Sequence, residues 1–127
     1  APRAGAPLAA RIAASGRPRV ALSILQGELE LHPEDVDALV FYALLASELG
    51  DDAAAIAAAR RAAYLAPSTP YPTFVMGVVL ARAGRTEAAE RRTAAARSLL
   101  AELEADAPLP HSDGLVAAQL RVILGAA

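Results

Sequence analysis

The sequence predicts an all-α fold: a right-handed superhelix of about three helical hairpins, closed by a C-terminal capping helix. Three glycines, Gly16, Gly50 and Gly84, lie 34 residues apart, and an alanine stands five positions after each of them. Pro33 and Pro67 are separated by the same interval. Glycine suits a turn between two helices, alanine a close helix crossing, and proline the end of the second helix. The period therefore indicates one hairpin per 34 residues.

The composition agrees with closely packed helices in a single domain over residues 1–127. Alanine makes up about a quarter of the chain, all 12 basic residues are arginines, and only 4% of residues are aromatic. Alanine and the unbranched long side chains have the highest helix propensities. A chain of 127 residues is also long enough to bury a continuous core.

The charge and the cysteine count argue against several classes of partner and site. A net charge of −2 gives no general attraction for nucleic acid or for an anionic membrane. The chain has no cysteine, so it can form neither a disulfide nor a thiolate metal site. The longest apolar run, residues 36–49, is too short to span a bilayer, and residues 1–7 lack the apolar core of an export signal. We therefore expect a cytoplasmic location.

The first repeat is predicted over residues 2–35, with a frayed start. Its first helix is short, over residues 8–15, and ends at the first of the three glycines. Proline is tolerated only in the opening turn of a helix, so the second helix begins at residue 18 and continues to about residue 31. The residues predicted to mark the inner face of this second helix are Val20, Ile24 and Leu31.

The second repeat is predicted over residues 36–69. Its first helix opens at an acidic run just before this range, where carboxylates interact favourably with the helix dipole, and continues to Leu49. Asp51 or Asp52 is expected to cap the second helix, which ends at about Ala66.

The third repeat is predicted over residues 70–103. Its first helix begins at about Pro70. Its second helix, with Thr86 as the expected cap, runs to about Glu104. No proline ends this helix at the position where the two earlier repeats have one, so the array is expected to finish here.

A linker over residues 105–112 precedes the capping helix, which is predicted over residues 113–125 with Ser112 or Asp113 as its N-cap. Apolar residues cover more than half of the circumference of this helix, so it must be shielded from water. Three arrangements would shield it: packing on the third repeat, folding across the concave groove, or pairing with another chain.

Two stretches resemble a known family. One is the run R-R-A-A-Y-L-A-P at residues 60–67, and the other is A-P-L-P-H-S-D-G-L at residues 107–115. Together with the repeat period, they resemble the C-terminal tetratricopeptide region of chemotaxis-receptor methyltransferases of the CheR type. Ala66 and Val116 depart from the family pattern, which has Asp and Thr at these positions.

The resemblance implies that an S-adenosylmethionine-dependent methyltransferase domain lies upstream in the whole protein. This chain would then be a non-catalytic module of bacterial chemosensory signalling that regulates substrate-site choice, activity or location of the enzyme. Its partner would be that upstream domain, the chemoreceptor or another signalling protein. The alternative is a general tetratricopeptide scaffold in another signalling or assembly complex. Self-association through the terminal helices is a further expectation.

The residues themselves give no sign of catalysis. No glycine-rich loop follows a strand, so no cradle for a nucleotide or for S-adenosylmethionine is predicted. His32 and His111 lack the spacing of zinc ligands, and the serines, acids and histidines form no nucleophile–base set. We therefore expect a protein partner, and no cofactor, metal, nucleic acid or membrane.

The tetratricopeptide pattern implies a concave groove lined by the first helix of each repeat. Nine positions of the pattern carry over to this sequence, five of them apolar with charged residues around them. The apolar members would anchor a partner helix, or would instead pack on the last helix of the chain itself. The nine predicted groove residues are Asp37, Val40, Leu44, Ser47, Glu48, Tyr71, Phe74, Val78 and Arg82.

Charge is distributed unevenly along the chain. Eight acidic residues and no arginine lie between Glu28 and Asp52, whereas arginines dominate residues 60–97. These charges either form solvated outer faces with local ion pairs, such as Glu87 with Arg91, or create a bipolar surface that steers a partner.

Overall fold

The computed structural model describes residues 5–125, and this part of the chain contains seven α-helices and no β-strand. The predicted all-α class is therefore confirmed. An isolated antiparallel bridge joins Pro108 to Val116 within the last connection. The helices are α1 (Gly5–Ala14), α2 (Pro18–Leu31), α3 (Val36–Glu48), α4 (Asp52–Leu65), α5 (Pro70–Arg82), α6 (Thr86–Ala101) and α7 (Ala117–Ile123).

The three periodic glycines form the same turn in each hairpin. Gly16, Gly50 and Gly84 have φ values of +87°, +87° and +80°, which only glycine adopts without strain. At the middle turn the Gly50 amide donates to the Ser47 carbonyl at 3.1 Å, and the next amide donates to the Ala46 carbonyl at 2.9 Å. The same pair of hydrogen bonds closes the other two turns. This is the Schellman arrangement, and it explains why glycine recurs at each of the three turns.

The residue that follows each turn glycine becomes the N-cap of the next helix. Asp51 fills this position in the second hairpin, where its carboxylate accepts from the amide three residues later at 3.1 Å. Thr86 was expected to cap α6, but the turn places Arg85 at the cap and Thr86 inside the helix. The expectation for Thr86 is therefore wrong, because the turn fixes the cap position and the sequence supplies a suitable side chain in only one of the three hairpins.

The inner face of α2 differs from the prediction. Ala21 and Leu25 are fully buried, whereas Val20 is 47% exposed and Leu31 is 76% exposed. The alanine five residues after the turn glycine faces inward in all three hairpins. This alignment leaves Val20 and Leu31 at the surface, whereas Ile24 is half-buried against the core as predicted.

The core consists of three clusters that share residues at their borders. The first lies among α1, α2 and α3, the second among α3, α4, α5 and α6, and the third at the end of α6 with α7. Tyr42 packs against the first two clusters, and Tyr71 and Phe74 pack against the last two. Helices α5 and α6 approach closely at Gly77, where an added Cβ would lie 2.9 Å from the Thr93 hydroxyl oxygen.

The last helix begins later than predicted. Asp113 and Gly114 have φ values of +58° and +99°, which are incompatible with a right-handed helix, so α7 starts at Ala117 instead of residue 113. Ser112 is not its cap. The side-chain oxygen of Gln119 accepts from the Val116 amide at 2.8 Å at the start of the helix.

No helix within residues 5–125 is both long and apolar enough to cross a membrane.

Candidate binding groove

A groove of about 710 Å³ opens on the side of the molecule formed by the first helices of the hairpins. Helix α3 supplies most of its floor, α1 and α5 supply one residue each, and the connection between α6 and α7 forms one wall. The lining residues are Ala10, Asp37, Val40, Phe41, Leu44, Tyr71, His111, Ser112, Asp113 and Leu115.

Four of the nine predicted groove residues line this groove: Asp37, Val40, Leu44 and Tyr71. Val40 belongs to the second core cluster, which lies among α3, α4, α5 and α6 and is called the central cluster below, and Leu44 packs against it. The apolar surface of the two residues therefore continues from the core into the groove. Their positions four residues apart place them on one face of α3.

Phe74 lies behind the groove instead of in it. It packs against the central cluster and against the cluster formed by Leu100, Leu109 and α7. Its ring also lies 5.6 Å from the ring of Tyr71, tilted by 42°. Of the two roles considered for Phe74, packing on the last part of the chain is the one that these contacts describe.

The other four predicted residues lie toward the far end of α3 and α5, outside the groove lining. Ser47 is buried, and its hydroxyl accepts from a guanidinium nitrogen of Arg82 at 3.5 Å. Glu48 and Arg82 are exposed and Val78 is half-buried. The structure therefore places four of the nine positions in the groove, Phe74 behind it, and the other four at the far ends of α3 and α5.

The wall formed by residues 111–115 is the part of the groove that sequence reasoning missed. His111 Nδ1 lies 2.5 Å from a carboxylate oxygen of Asp37, a residue 74 positions earlier in the chain. His111 lies in the connection between α6 and α7, whereas Asp37 lies in the first helix of the second hairpin. No local sequence signal joins two such distant residues.

A compact hydrogen-bond network holds this wall in place. The buried Ser112 hydroxyl donates to the Leu109 carbonyl at 2.6 Å and accepts from the Leu115 amide at 3.0 Å. The Leu109 amide in turn donates to the Leu115 carbonyl at 2.9 Å. His111 and Asp113 take positive φ values of 70° and 58°, which direct the chain back across the end of α3. The wall is thus formed before any ligand arrives.

The groove combines an apolar floor with an acidic rim. Two carboxylates, Asp37 and Asp113, line it, and no arginine is among its lining residues. Burial raises the pKa of the Tyr71 hydroxyl above its ordinary value of 10.0, and the negative charge of Asp113 raises it further. The phenol therefore remains neutral near pH 7 and can donate a hydrogen bond to a ligand.

The side chains that the structure places in residues 5–125 include no cluster of three or more histidines and carboxylates suited to a metal ion. The groove lining offers apolar contacts, carboxylate acceptors and the phenol of Tyr71. Such a set suits the binding of apolar side chains flanked by donor or basic groups.

No protein-family model and no curated protein sequence matches the chain. Two solved structures resemble it over nearly its whole length. The translocator chaperone SycD of type III secretion in Yersinia enterocolitica, crystallised as an alternative dimer, gives a TM-score of 0.76 at 19% identity, covering 96% of this chain and 84% of SycD. PcrH, in complex with the chaperone binding region of PopD, gives 0.73 at 22% identity, covering 94% of this chain and 84% of PcrH.

The likeness shows the fold, and the predicted tetratricopeptide-like hairpins are confirmed. The resemblance to chemotaxis-receptor methyltransferases is wrong, because the similar structures are secretion chaperones. The regulatory role and the upstream methyltransferase that it implied are withdrawn with it.

The two stretches that suggested the methyltransferases have structural explanations of their own. In residues 60–67, Ala62 and Ala63 are buried and the two arginines are exposed, as a second helix of a hairpin requires. Residues 107–115 contain the groove wall, residues 111–115, together with Leu109, whose carbonyl accepts a hydrogen bond from the Ser112 hydroxyl.

Proposed function

We propose that this chain is a non-catalytic scaffold of the chaperone kind, which holds an apolar segment of a partner protein in the concave groove. The observation that carries the proposal is the preformed groove, with its apolar floor on α3 and its acidic rim. The likeness to PcrH, whose structure contains a segment of PopD, supports the same reading. The proposal corresponds to the general scaffold predicted from the sequence as the alternative role.

The size of the groove limits what it can hold. A volume of about 710 Å³ accommodates a few side chains, since pockets for compact ligands span roughly 300–1,000 Å³. A short segment with two or three apolar anchors fits this volume better than a folded domain does. Because the wall at residues 111–115 is already hydrogen-bonded, little ordering of the chain is needed on binding.

The rim sets the chemistry expected beside those anchors. The exposed carboxylate of Asp113 favours a lysine or arginine in the partner segment, whereas the Asp37 carboxylate is already engaged by His111. A C-terminal carboxylate is a poor candidate, because the chain has no lysine and the groove lining has no arginine. The proposed ligand is therefore an internal segment with apolar residues and at least one basic residue.

The proposal retains the predicted cytoplasmic location, because a chaperone that holds a protein before its secretion acts before that protein leaves the cell.

Synthetic peptides of one length test the proposal by isothermal titration calorimetry. The panel varies two properties: leucine or serine at the anchor positions, and lysine or glutamate beside them. We expect binding of the leucine–lysine peptides and little binding of the serine peptides. Equal binding of all four types, or none of any, would overturn the proposal.

Two matched variants connect binding to the groove. Leu44→Asn should weaken binding about tenfold or more, as loss of an anchor contact does, whereas Leu31→Asn, at an exposed leucine outside the groove, should leave it unchanged. Circular dichroism and thermal unfolding check that Leu44→Asn is folded.

Asp113→Asn keeps a residue that tolerates positive φ and removes the charge, so it should reduce the preference for lysine over glutamate. An unchanged preference would remove the rim from the proposal.

A further inference from the structure

A second depression lies between the second helices of the second and third hairpins. It has a volume of about 460 Å³, and we call it the outer recess. Helices α4 and α6 both pack on α5 and not on each other, so the outer recess is a furrow between them with α5 beneath it. The lining residues are Ala63, Pro67, Thr73, Arg92, Ala95, Ser98 and Leu99.

Helix α5 separates the outer recess from the groove. Tyr71 lines the groove and Thr73 lines the outer recess, although the two residues are only two positions apart on this helix. Two positions correspond to a rotation of roughly 200°, so the two side chains leave the helix on opposite sides. Within residues 5–125, the two linings have no residue in common. The two depressions can therefore hold separate ligands at the same time.

Arg92 supplies the charge of the outer recess. Its side chain is half-buried, and no carboxylate in the described part of the chain forms an ion pair with it. The two acidic residues of α6, Glu87 and Glu90, are absent from the lining. A guanidinium group that has lost part of its hydration attracts an anion more strongly than one in open water does. The outer recess thus offers a positive charge that the chain itself leaves without a counter-ion.

Two hydroxyl groups accompany this guanidinium. Thr73 is only 5% exposed, whereas Ser98 is exposed at the rim. Neither hydroxyl forms a hydrogen bond with another residue of the described chain. A carboxylate accepts hydrogen bonds at both of its oxygens, and arginine and hydroxyl groups are suitable donors to it.

The rest of the lining is formed by alanine, proline and leucine side chains. Further positive charge lies at one end of the furrow. The exposed Arg60 precedes Ala63 by three residues, and the exposed Arg91 precedes Ala95 by four, so each arginine lies one turn before a lining residue on its own helix. A ligand would therefore meet positive charge around a small apolar surface.

We propose that the outer recess is a second binding site, which takes a glutamate or aspartate side chain in an acidic segment of a protein partner. Arg92 pairs with the carboxylate, the two hydroxyls donate to it, and the small apolar side chains contact the aliphatic part of the segment. The apolar lining and the net charge of −2 favour such a segment over a nucleic acid. The groove has carboxylates and no arginine in its lining, so the two sites select segments of opposite charge.

Fluorescence anisotropy with short labelled peptides of one length tests the proposal. The peptides differ only in whether glutamate, glutamine or lysine flanks a leucine. The glutamate peptide should bind, more weakly as the salt concentration rises, and the other two should not. Equal binding of the glutamate and glutamine peptides, or no binding of either, would overturn the proposal.

Matched variants connect this binding to the outer recess. Arg92→Gln should weaken binding of the glutamate peptide about tenfold or more, because a charged hydrogen-bond donor is lost. Thr73→Val keeps the shape of the side chain and should weaken binding about threefold. Arg61→Gln removes the same charge from an exposed position outside the lining and should change binding by less than about twofold. Circular dichroism checks that the variants are folded. Equal losses for Arg92→Gln and Arg61→Gln would contradict a specific site.

Competition experiments identify the chemistry of the ligand. At equal ionic strength, inorganic phosphate should displace the glutamate peptide no more than chloride does, and a single-stranded RNA should not displace it. Displacement by either that depends on Arg92 would replace the proposed carboxylate with a phosphate ligand. The leucine–lysine peptide of the groove should bind without displacing the glutamate peptide, and competition between them would contradict separate sites. Leu44→Asn should act only on the first peptide and Arg92→Gln only on the second, so the failure of either proposal can be distinguished from failure of the other.

Discussion

Helices α2 and α4 have the same length and follow the same glycine turn, yet they are buried to different degrees. Each has 14 residues, but six residues of α4 are buried and only two of α2. The second hairpin has a neighbouring hairpin on both sides, whereas the first has one on a single side. In a repeat array each unit contacts only its neighbours. The turn is therefore a local property of each repeat, whereas the burial of a helix depends on the position of its hairpin in the array.

The largest effect expected from this comparison concerns two helical glycines. Gly77→Leu in the third hairpin should destabilise the protein by about 3 kcal/mol, because the side chain would collide with Thr93 and α6. Gly27→Ala in the first hairpin should stabilise it by about 0.5–1 kcal/mol, because nothing surrounds that position and alanine favours the helix. Urea unfolding at low protein concentration measures both. Similar changes in free energy at the two sites would show that the two hairpins are packed alike.

An intermediate effect is expected at the helix caps, where the hairpins should behave alike. Arg17→Asp and Arg85→Asp each place an acceptor at a cap position that lacks one, and each should stabilise by about 1 kcal/mol. In the second hairpin, Asp51→Ala should lower the free energy of unfolding by a similar amount. These variants are compared by the same unfolding measurement. A gain at Arg85 with none at Arg17 would mean that the turn is not an independent local unit.

The smallest effect is a pH dependence confined to the third hairpin, where Tyr71 meets the C-terminal wall. The raised pKa of Tyr71 means that the folded chain retains a proton which the unfolded chain loses as the pH rises above about 10. The contribution of Tyr71 to the free energy of unfolding is complete below that pH and declines as the pH approaches the pKa of Tyr71 in the folded chain. Tyr71→Phe should therefore reduce the loss of stability in alkali. Tyr64→Phe, at an exposed phenol, is the control; equal effects of the two substitutions would contradict the assignment.

Part of the groove could be predicted from the sequence. Asp37, Val40 and Leu44 recur on one face of α3, and periodicity alone places them together. Phe74 satisfied the same pattern but lies behind the groove, because Tyr71 and the C-terminal cluster cover it. A positional pattern specifies the side of a helix on which a residue lies, and it does not specify which distant segment covers that side.

The sequence by itself determined the three hairpin turns. Each depends on hydrogen bonds between residues at most five apart and on a glycine with positive φ, so the local chain specifies it completely. The tertiary structure alone decided the inner face of α2 and the wall of the groove. Ala21 faces inward because the neighbouring helices meet it there, and His111 reaches Asp37 across 74 residues of chain. Contacts of that range follow from how the repeats stack, and no stretch of sequence contains both partners.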